Sequence, residues 1–277
     1  MITSTSNAQI KELIRLQRKG RARDEAGVFI VEGPRMAAEI PPERIVKFYV
    51  SESYMKKQHS STGHSFHGEV LADAVFAHVS DTKTPQGVLA VVKRKEYTLD
   101  DILGNAEGSS IHGGQKPLDG YENPRNPHIL ILDNLQDPGN LGTIFRTAEA
   151  AGATGVLLSR DCVDIYNPKV IRSTMGAVFR LPFLYTDDLP GTIEELKAAG
   201  IQVYAAHLEG ENAYDEEDYR SGCAFLVGNE GNGLRNEVTA CADHLIRIPM
   251  QGKAESLNAA VAASVLMFEV GRQRRNK

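Results

Sequence analysis

From residue 128 onward the chain repeats one pattern: a short, continuously apolar run, a turn, then a stretch with helical spacing. HILILDNL (128–135), GVLLS (155–159), IQVYAAH (201–207), CAFLVGNE (223–230) and HLIRIPM (244–250) read as strands. Helical spacing covers 140–151, 168–177 and 191–199, the last stopped by Gly200. Runs that are apolar throughout, rather than alternating, need cover on both faces. That implies an α/β fold with a mostly parallel sheet sandwiched between helices. A last helix is predicted from about Ser256 to Arg274, with Leu257, Ala260, Val261, Ser264, Val265 and Phe268 on one buried stripe. Sheets of this kind bind ligands beyond the carboxyl ends of their strands, so the loops there are the place to look for chemistry.

The first 97 residues form a smaller α/β pattern. Ser6 and Gln9 suggest a capping box opening a helix over 7–19, and strands follow at VFIVEG (28–33), IVKFYVS (45–51) and GVLAVVK (87–93), with a short helix at RMAAEI. Residues 98–127 are rich in Gly, Pro, Asn and Ser and lack apolar periodicity, which predicts a linker or flexible insertion between an N-terminal domain, 1–97, and a C-terminal domain, 128–277.

Overall charge argues little by itself: 31 Lys and Arg against 36 Asp and Glu leave a net charge of −5. Its distribution says more. Lys11, Arg15, Arg18, Lys19, Arg21 and Arg23 gather near the N-terminus, Arg272, Arg274, Arg275 and Lys277 end the chain, and 209–218 is acidic. Local basic faces of this kind can hold nucleic-acid phosphates on an acidic protein. No apolar run is long enough for a membrane span and the N-terminus lacks the apolar core of a secretory signal. Cys162, Cys223 and Cys241 are far apart and form no CxxC pair, as fits a reducing cytosol and a cytoplasmic protein. His59, His64 and His67 cluster without a completing carboxylate or cysteine pattern, so they read as a polar loop and no metal site is expected. GxSxG and GxxxxGK[ST] are both absent.

Three segments of the C-terminal half join a strand end to glycines and polar side chains. In LDNLQDPGNLGTIFRTAEAAGA (132–153), Asp137-Pro138-Gly139-Asn140 turns sharply into a helix whose N-terminus can face an anion, with Arg146 further along an otherwise small and apolar helix. In FLVGNEGNGL (225–234), Gly228, Gly231 and Gly233 let backbone approach a ligand, while Asn229 and Glu230 supply polar groups. In IRIPMQGKAESLNAAVAAS (246–264), a strand stops at Pro249 and Ser256-Leu257-Asn258 opens the last helix, with Ser256 the expected N-cap.

Order and spacing of these segments resemble the SpoU (TrmH) family of RNA ribose 2′-O-methyltransferases, within the SPOUT superfamily. The matching residues are N-L-G-x-x-x-R-T-A at 140–148, G-N-E-G-x-G-L at 228–234 and I-P-M…S-L-N-x-x-V-A at 248–262, with YNPKVIRSTMGAVFRLP (166–182) between them. Ala259-Ala260 departs from the valine and serine frequent there. Asn7, Lys11 and FIVEG (29–33) are similar to the small substrate-binding domain carried by many ribosomal RNA members. The resemblance implies a C-terminal trefoil knot, a homodimer, and S-adenosylmethionine bound through Gly228, Ile248 and Leu257, with Asn229, Gly231, Pro249, Met250 and Ser256 beside them. It implies methyl transfer to a ribose 2′-hydroxyl of 23S rRNA, with Arg146 acting on the hydroxyl. Asn140 would shape the turn, Glu230 orient the site, and Ser256 and Asn258 complete the pocket. RNA would be gripped by Lys11, Arg15, Arg18, Lys19, Arg21 and Arg23, and DNA, lacking the 2′-hydroxyl, excluded. A tRNA ribose methyltransferase and a non-catalytic RNA-binding protein of the same fold are the alternatives. The presence of Arg146, Glu230 and Asn258 speaks against the second.

Overall fold

A computed structural model describes residues 1–58, 65–104 and 126–275. His59, His64 and most of the expected linker lie outside them. In chain order the elements are α1 (Ala8–Arg18), α2 (Gly20–Ala26), β1 (Val28–Glu32), α3 (Pro34–Ala38), β2 (Ile45–Ser51), α4 (Glu52–Gln58), β3 (Glu69–Leu71), α5 (Asp73–Val79), β4 (Val88–Lys93), α6 (Leu99–Leu103), β5 (His128–Leu132) and α7 (Pro138–Ala150). There follow β6 (Gly155–Ser159), α8 (Pro168–Thr174), β7 (Phe183–Thr186), α9 (Leu189–Ala198), β8 (Gln202–Ala206), β9 (Asn212–Ala213), β10 (Cys223–Val227), α10 (Asn236–Thr239), β11 (His244–Arg247) and α11 (Ala259–Arg275).

The chain divides into two compact units. One comprises Met1–Lys95 together with Asp164–Phe179, and the other Glu96–Val163 with Arg180–Lys277. Residues 164–179, assigned from sequence to the C-terminal domain, thus pack with the N-terminal unit. That unit is built on a four-stranded sheet of order β1-β4-β2-β3, antiparallel except for the β2–β3 pair. Successive residues of β1 face opposite sides. Ile30 joins Ile10, Leu13 and Leu16 of α1 and Phe76 of α5 in one core cluster. Phe29 points the other way, its ring 4.5 Å from that of Tyr166 and 6.2 Å from that of Phe179. The strip 164–179 therefore covers the second face of β1.

The C-terminal unit carries a seven-stranded, wholly parallel sheet of order β7-β6-β5-β10-β8-β11-β9. Leu132, Val227 and Leu158 are register partners at the carboxyl ends of β5, β10 and β6, so the loops that follow emerge side by side. The sheet core is continuously buried, as the apolar runs require.

Several expectations need correcting. Asn7, not Ser6, caps α1, accepting from Gln9 N–H at 2.8 Å. The Gln9 side chain is drawn away from any capping box to accept from Lys47 Nζ and Tyr49 Oη. Residues 98–104, expected as linker, form α6 with a Thr98–Asp101 capping box, and Ile102 is buried in the C-terminal core. A Cβ on Gly155 would lie 3.0 Å from Ile102, so that glycine makes the seat for α6. The edge strand β7 escaped notice because only Phe183 of its residues is buried. The strand runs end at Leu132, Val227 and Arg247, earlier than read: the side chains of Asp133 and Asn229 bond other loops, and from Ile248 on the backbone finds no ladder partner. Most consequential is α11: its buried stripe is Ala259, Ala260, Ala263, Leu266, Met267 and Val270. Val261 and Phe268, placed inside by the sequence pattern, are 49% and 48% exposed.

Candidate functional site

The site grows from the turn after β5. Asp137 is the N-cap of α7, its Oδ1 accepting from Asn140 N–H at 2.7 Å, with Pro138 at the first helical position. Glu230, reaching over from the loop after β10, accepts from Asp137 N–H at 3.1 Å, from Gln136 N–H at 3.3 Å and from Asn140 Nδ2 at 2.9 Å. The helix N-terminus expected to receive an anionic ligand thus already holds a carboxylate of the chain itself. Burial would raise the Glu230 carboxyl. The hydrogen bonds from Asn140 and from the Asp137 and Gln136 amides outweigh it and hold the group below its ordinary value, so it stays ionised.

From Asn140 the network runs on. Asn258 Nδ2 donates to Asn140 Oδ1 at 2.9 Å, while Asn258 Oδ1 accepts from Ala260 N–H at 2.9 Å and Val261 N–H at 3.3 Å. Asn258, rather than Ser256, therefore caps α11 and fastens its start to α7, against which α11 packs. The structure brings Glu230 of the loop after β10, Asn140 of the first turn of α7 and Asn258 at the head of α11 into one hydrogen-bonded chain. Arg146 and Ser256 stand outside that chain. Both are exposed, and Arg146 has no hydrogen bond or ion pair among the described residues.

The glycine loop 228–233 is closed on itself. Asn229 and Gly233 exchange both backbone hydrogen bonds, at 2.9 and 3.0 Å. The Asn229 side chain accepts from the Gly231 and Asn232 amides and donates to Asn134 C=O at 2.8 Å. A Cβ on Gly228 would lie 2.2 Å from the Gly233 carbonyl carbon, so only glycine permits this turn. Asn229 and Gly231 thus shape the loop and keep few polar groups free for a ligand.

Sequence reading missed the pair that anchors the loop's far end. Asp133, fully buried, accepts from Arg235 N–H at 2.9 Å and Arg235 Nε at 2.8 Å, and Arg235 also lies 3.4 Å from Asp161. A charged residue directly after a buried strand, and an arginine directly after a glycine loop, were the available signals.

Residues 248–257 differ from the loops around them. Among the described residues, none of their backbone groups has a backbone partner. Ile248, Met250 and Leu257 are half-buried, and Pro249 and Ser256 exposed. Apolar side chains beside unpartnered amides and carbonyls suit a flat heterocycle with a hydrogen-bonding edge.

In the N-terminal unit, the side chains of Lys11, Arg18 and Lys19 are exposed and unpaired among the described residues. Arg15 pairs with Glu12 and Glu25, and Arg21 with Glu25, all at the surface where such pairs exchange readily. Arg23 must be withdrawn from the RNA-facing set. It is 4% exposed, ion-paired to Asp164, and donates to the carbonyls of Leu16 at 2.7 Å and Gln17 at 3.0 Å. A buried arginine so fully engaged cannot turn to a phosphate. No group of three metal-ligating side chains occurs among the described residues, and none of their helices is long and apolar enough to cross a membrane.

Comparison with known proteins adds the following. Residues 127–268 match the SpoU rRNA Methylase family and residues 7–90 the MRM3-like substrate binding domain. The chain is 31% identical, over 97% of its length and 98% of the relative's, to the 23S rRNA (guanosine(2553)-2′-O)-methyltransferase RlmP of Bacillus subtilis. It is 32% identical, over 84% of its length and 91% of the relative's, to the 23S rRNA (guanosine-2′-O-)-methyltransferase RlmB of Bordetella pertussis. Among solved structures, the SpoU methyltransferase AviRb from Streptomyces viridochromogenes, in complex with AdoMet, superposes with a TM-score of 0.77 at 26% identity, covering 97% of this chain and 98% of that one.

Proposed function

The chain belongs to the SpoU family of rRNA methylases, and from that premise we propose that it transfers a methyl group from S-adenosylmethionine to a ribose 2′-hydroxyl of 23S rRNA. The observation that carries the proposal is the Glu230–Asn140–Asn258 chain with an uncommitted Arg146 on the same helix as Asn140. Its relatives described as 23S rRNA 2′-O-methyltransferases match 97% and 84% of its length, which favours rRNA over tRNA.

Gly228, Ile248, Pro249, Met250, Ser256 and Leu257 are the residues that would hold the donor, through half-buried apolar side chains and the unpartnered backbone of 248–257. When bound, S-adenosylmethionine supplies a methyl group on a sulfonium, already activated for transfer to oxygen. The chain's own task is to align the 2′-hydroxyl and ease the loss of its proton. Alignment alone can contribute up to about 7–11 kcal/mol. Arg146 stays a cation, since a guanidinium does not deprotonate in proteins. Its role is to hold a neighbouring phosphate and to stabilise the developing oxyanion. Asn140, Glu230 and Asn258 act by fixing the start of the helix that carries it.

The protein acts as a homodimer: Val261 and Phe268 form an exposed apolar face on α11, beside the α7 that bears Arg146, so a second copy covering that face would lie next to the site. The C-terminal unit is threaded as the family's trefoil knot. The seating of β10 between β5 and β8, far apart in sequence, supports such a path. The activity belongs in the cytoplasm, in keeping with three unpaired cysteines.

The test is transfer of labelled methyl to unmodified 23S rRNA, 16S rRNA and tRNA, with Arg146→Ala in parallel. Label on 23S rRNA that maps to a ribose 2′-oxygen and is lost in the variant is the expected result. Label on tRNA alone would move the substrate. Donor binding without transfer to any of the three would overturn the proposal for free RNA.

A further inference from the structure

The N-terminal unit contains a cavity of about 620 Å³ just past the carboxyl end of β1, within the range of sites for small molecules. Its walls come from two distant stretches of chain. Arg35, Met36, Thr84 and Gln86 lie within the residues that match the substrate-binding domain, whereas Arg172 and Met175 come from the strip 164–179 inside the methylase match.

The lining is mixed in a particular way. Arg35 is exposed and has no partner among the described residues. Arg172 is steadied by Asp81, with Nη1 2.9 Å from Oδ2. Glu32 is already engaged: it accepts from Ser80 Oγ at 2.5 Å, Thr82 Oγ1 at 2.7 Å and the Asp81 amide at 3.2 Å, and so fixes the 80–82 loop as a wall. Met175 is 48% exposed and held at φ +49°, a conformation uncommon outside glycine. Met175 is the left-handed cap that ends α8; what is unusual there is a large, exposed apolar side chain where glycine is the common choice.

With two arginines set against Glu32 and Glu39, the cavity is not a plain anion trap. It offers a thioether to one flat face, amide and hydroxyl groups to an edge, and one free guanidinium at the rim. Single-stranded RNA presents the complementary groups: an unstacked base with two faces and an edge, joined to a phosphate. We infer that this cavity receives one unstacked nucleotide of the RNA, other than the nucleotide that is methylated. The inference rests on the reading of the chain as an RNA methyltransferase.

The experiment uses the full chain and an unmodified 23S rRNA transcript. Filter binding compares wild type with Arg35→Ala, Gln86→Ala and Met175→Gly, the last relieving the backbone strain, while calorimetry follows S-adenosylmethionine. Each variant is expected to weaken RNA binding about fivefold, the scale of one lost hydrogen bond or contact, with donor affinity unchanged. A transcript carrying 4-thiouridine is expected to crosslink to the peptide that contains Met175. If only Arg35→Ala weakens binding, the rim touches a phosphate and no base enters, and the inference falls. It falls equally if none of the three has an effect. Binding is read separately from methyl transfer, so a chain that binds the transcript without methylating it fails the functional reading and leaves the variants to decide the cavity.

Discussion

Arg146 carries a charge that no described residue of the chain neutralises, whereas Arg23 and Arg235 are both consumed by carboxylates. In the sequence each of the three is followed by a polar residue, Thr147, Asp24 or Asn236, and nothing local tells which will be engaged. What separates them is a tertiary partner: Asp164 lies 141 residues from Arg23, and Asp133 lies 102 residues from Arg235. The motif residues were legible because their spacing repeats a known pattern. Their commitments were not, because long-range pairing decides them. Arg146→Lys keeps the charge but loses the planar fork, so kcat is expected to fall about 10²-fold or more, as for a lost oxyanion donor. Near-normal turnover would refute a forked contact. Glu230 gives a second test. Its folded-state value is depressed, so its contribution to stability is complete above the ordinary carboxylate value and disappears as pH falls through the lowered one. The melting temperature of wild type is expected to exceed that of Glu230→Gln by a constant margin near neutrality, closing as pH falls below the ordinary carboxylate range. A margin independent of pH would mean the charge is not what the loop uses.

Among the elements, β2 and β6 were read with the boundaries the structure has, because each is a short, mainly apolar run closed by charged residues, Glu52 after the one and Arg160-Asp161 after the other. The start and facing of α11 were misread. Its helical pattern is dense in small apolar residues all round, so two stripes compete and only the packing partner chooses between them. The choice fell on Ala260, Ala263 and Met267, leaving Val261 and Phe268 outside. At the head of that helix Asn258 does two things with one amide, capping with Oδ1 and bridging to Asn140 with Nδ2. The roles can be separated. Asn258→Ala is expected to cost about 1 kcal/mol of stability, the worth of a cap, and to lower methyl transfer. Asn258→Ser keeps a capping oxygen and is expected to retain most of that stability while activity still falls. Full activity in the serine variant would show that the bridge to Asn140 positions nothing.

For the whole molecule, the two units predict two kinds of sensitivity. Lys11, Arg18 and Lys19 belong to the first unit, and the loops proposed to hold the donor to the second. Raising salt is expected to weaken RNA binding steeply, each phosphate contact adding about 0.7–0.9 to the slope of log K against log salt, while donor affinity stays nearly flat. Equal slopes would contradict separate sites. On the proposed homodimer, wild type is expected to sediment as a dimer and Phe268→Glu as a monomer; a monomeric wild type would overturn the dimer, and a dimeric variant would take α11 out of its interface. The strip 164–179 has a different bearing. It lies inside the methylase match, yet it supplies the Asp164 that engages Arg23 and the rings that cover Phe29. A fragment ending at Lys95 would leave that face of β1 bare. The two halves are therefore not interchangeable cassettes: a graft, a truncation or a recombination that moves the N-terminal half between such chains must bring this piece of the other half along with it.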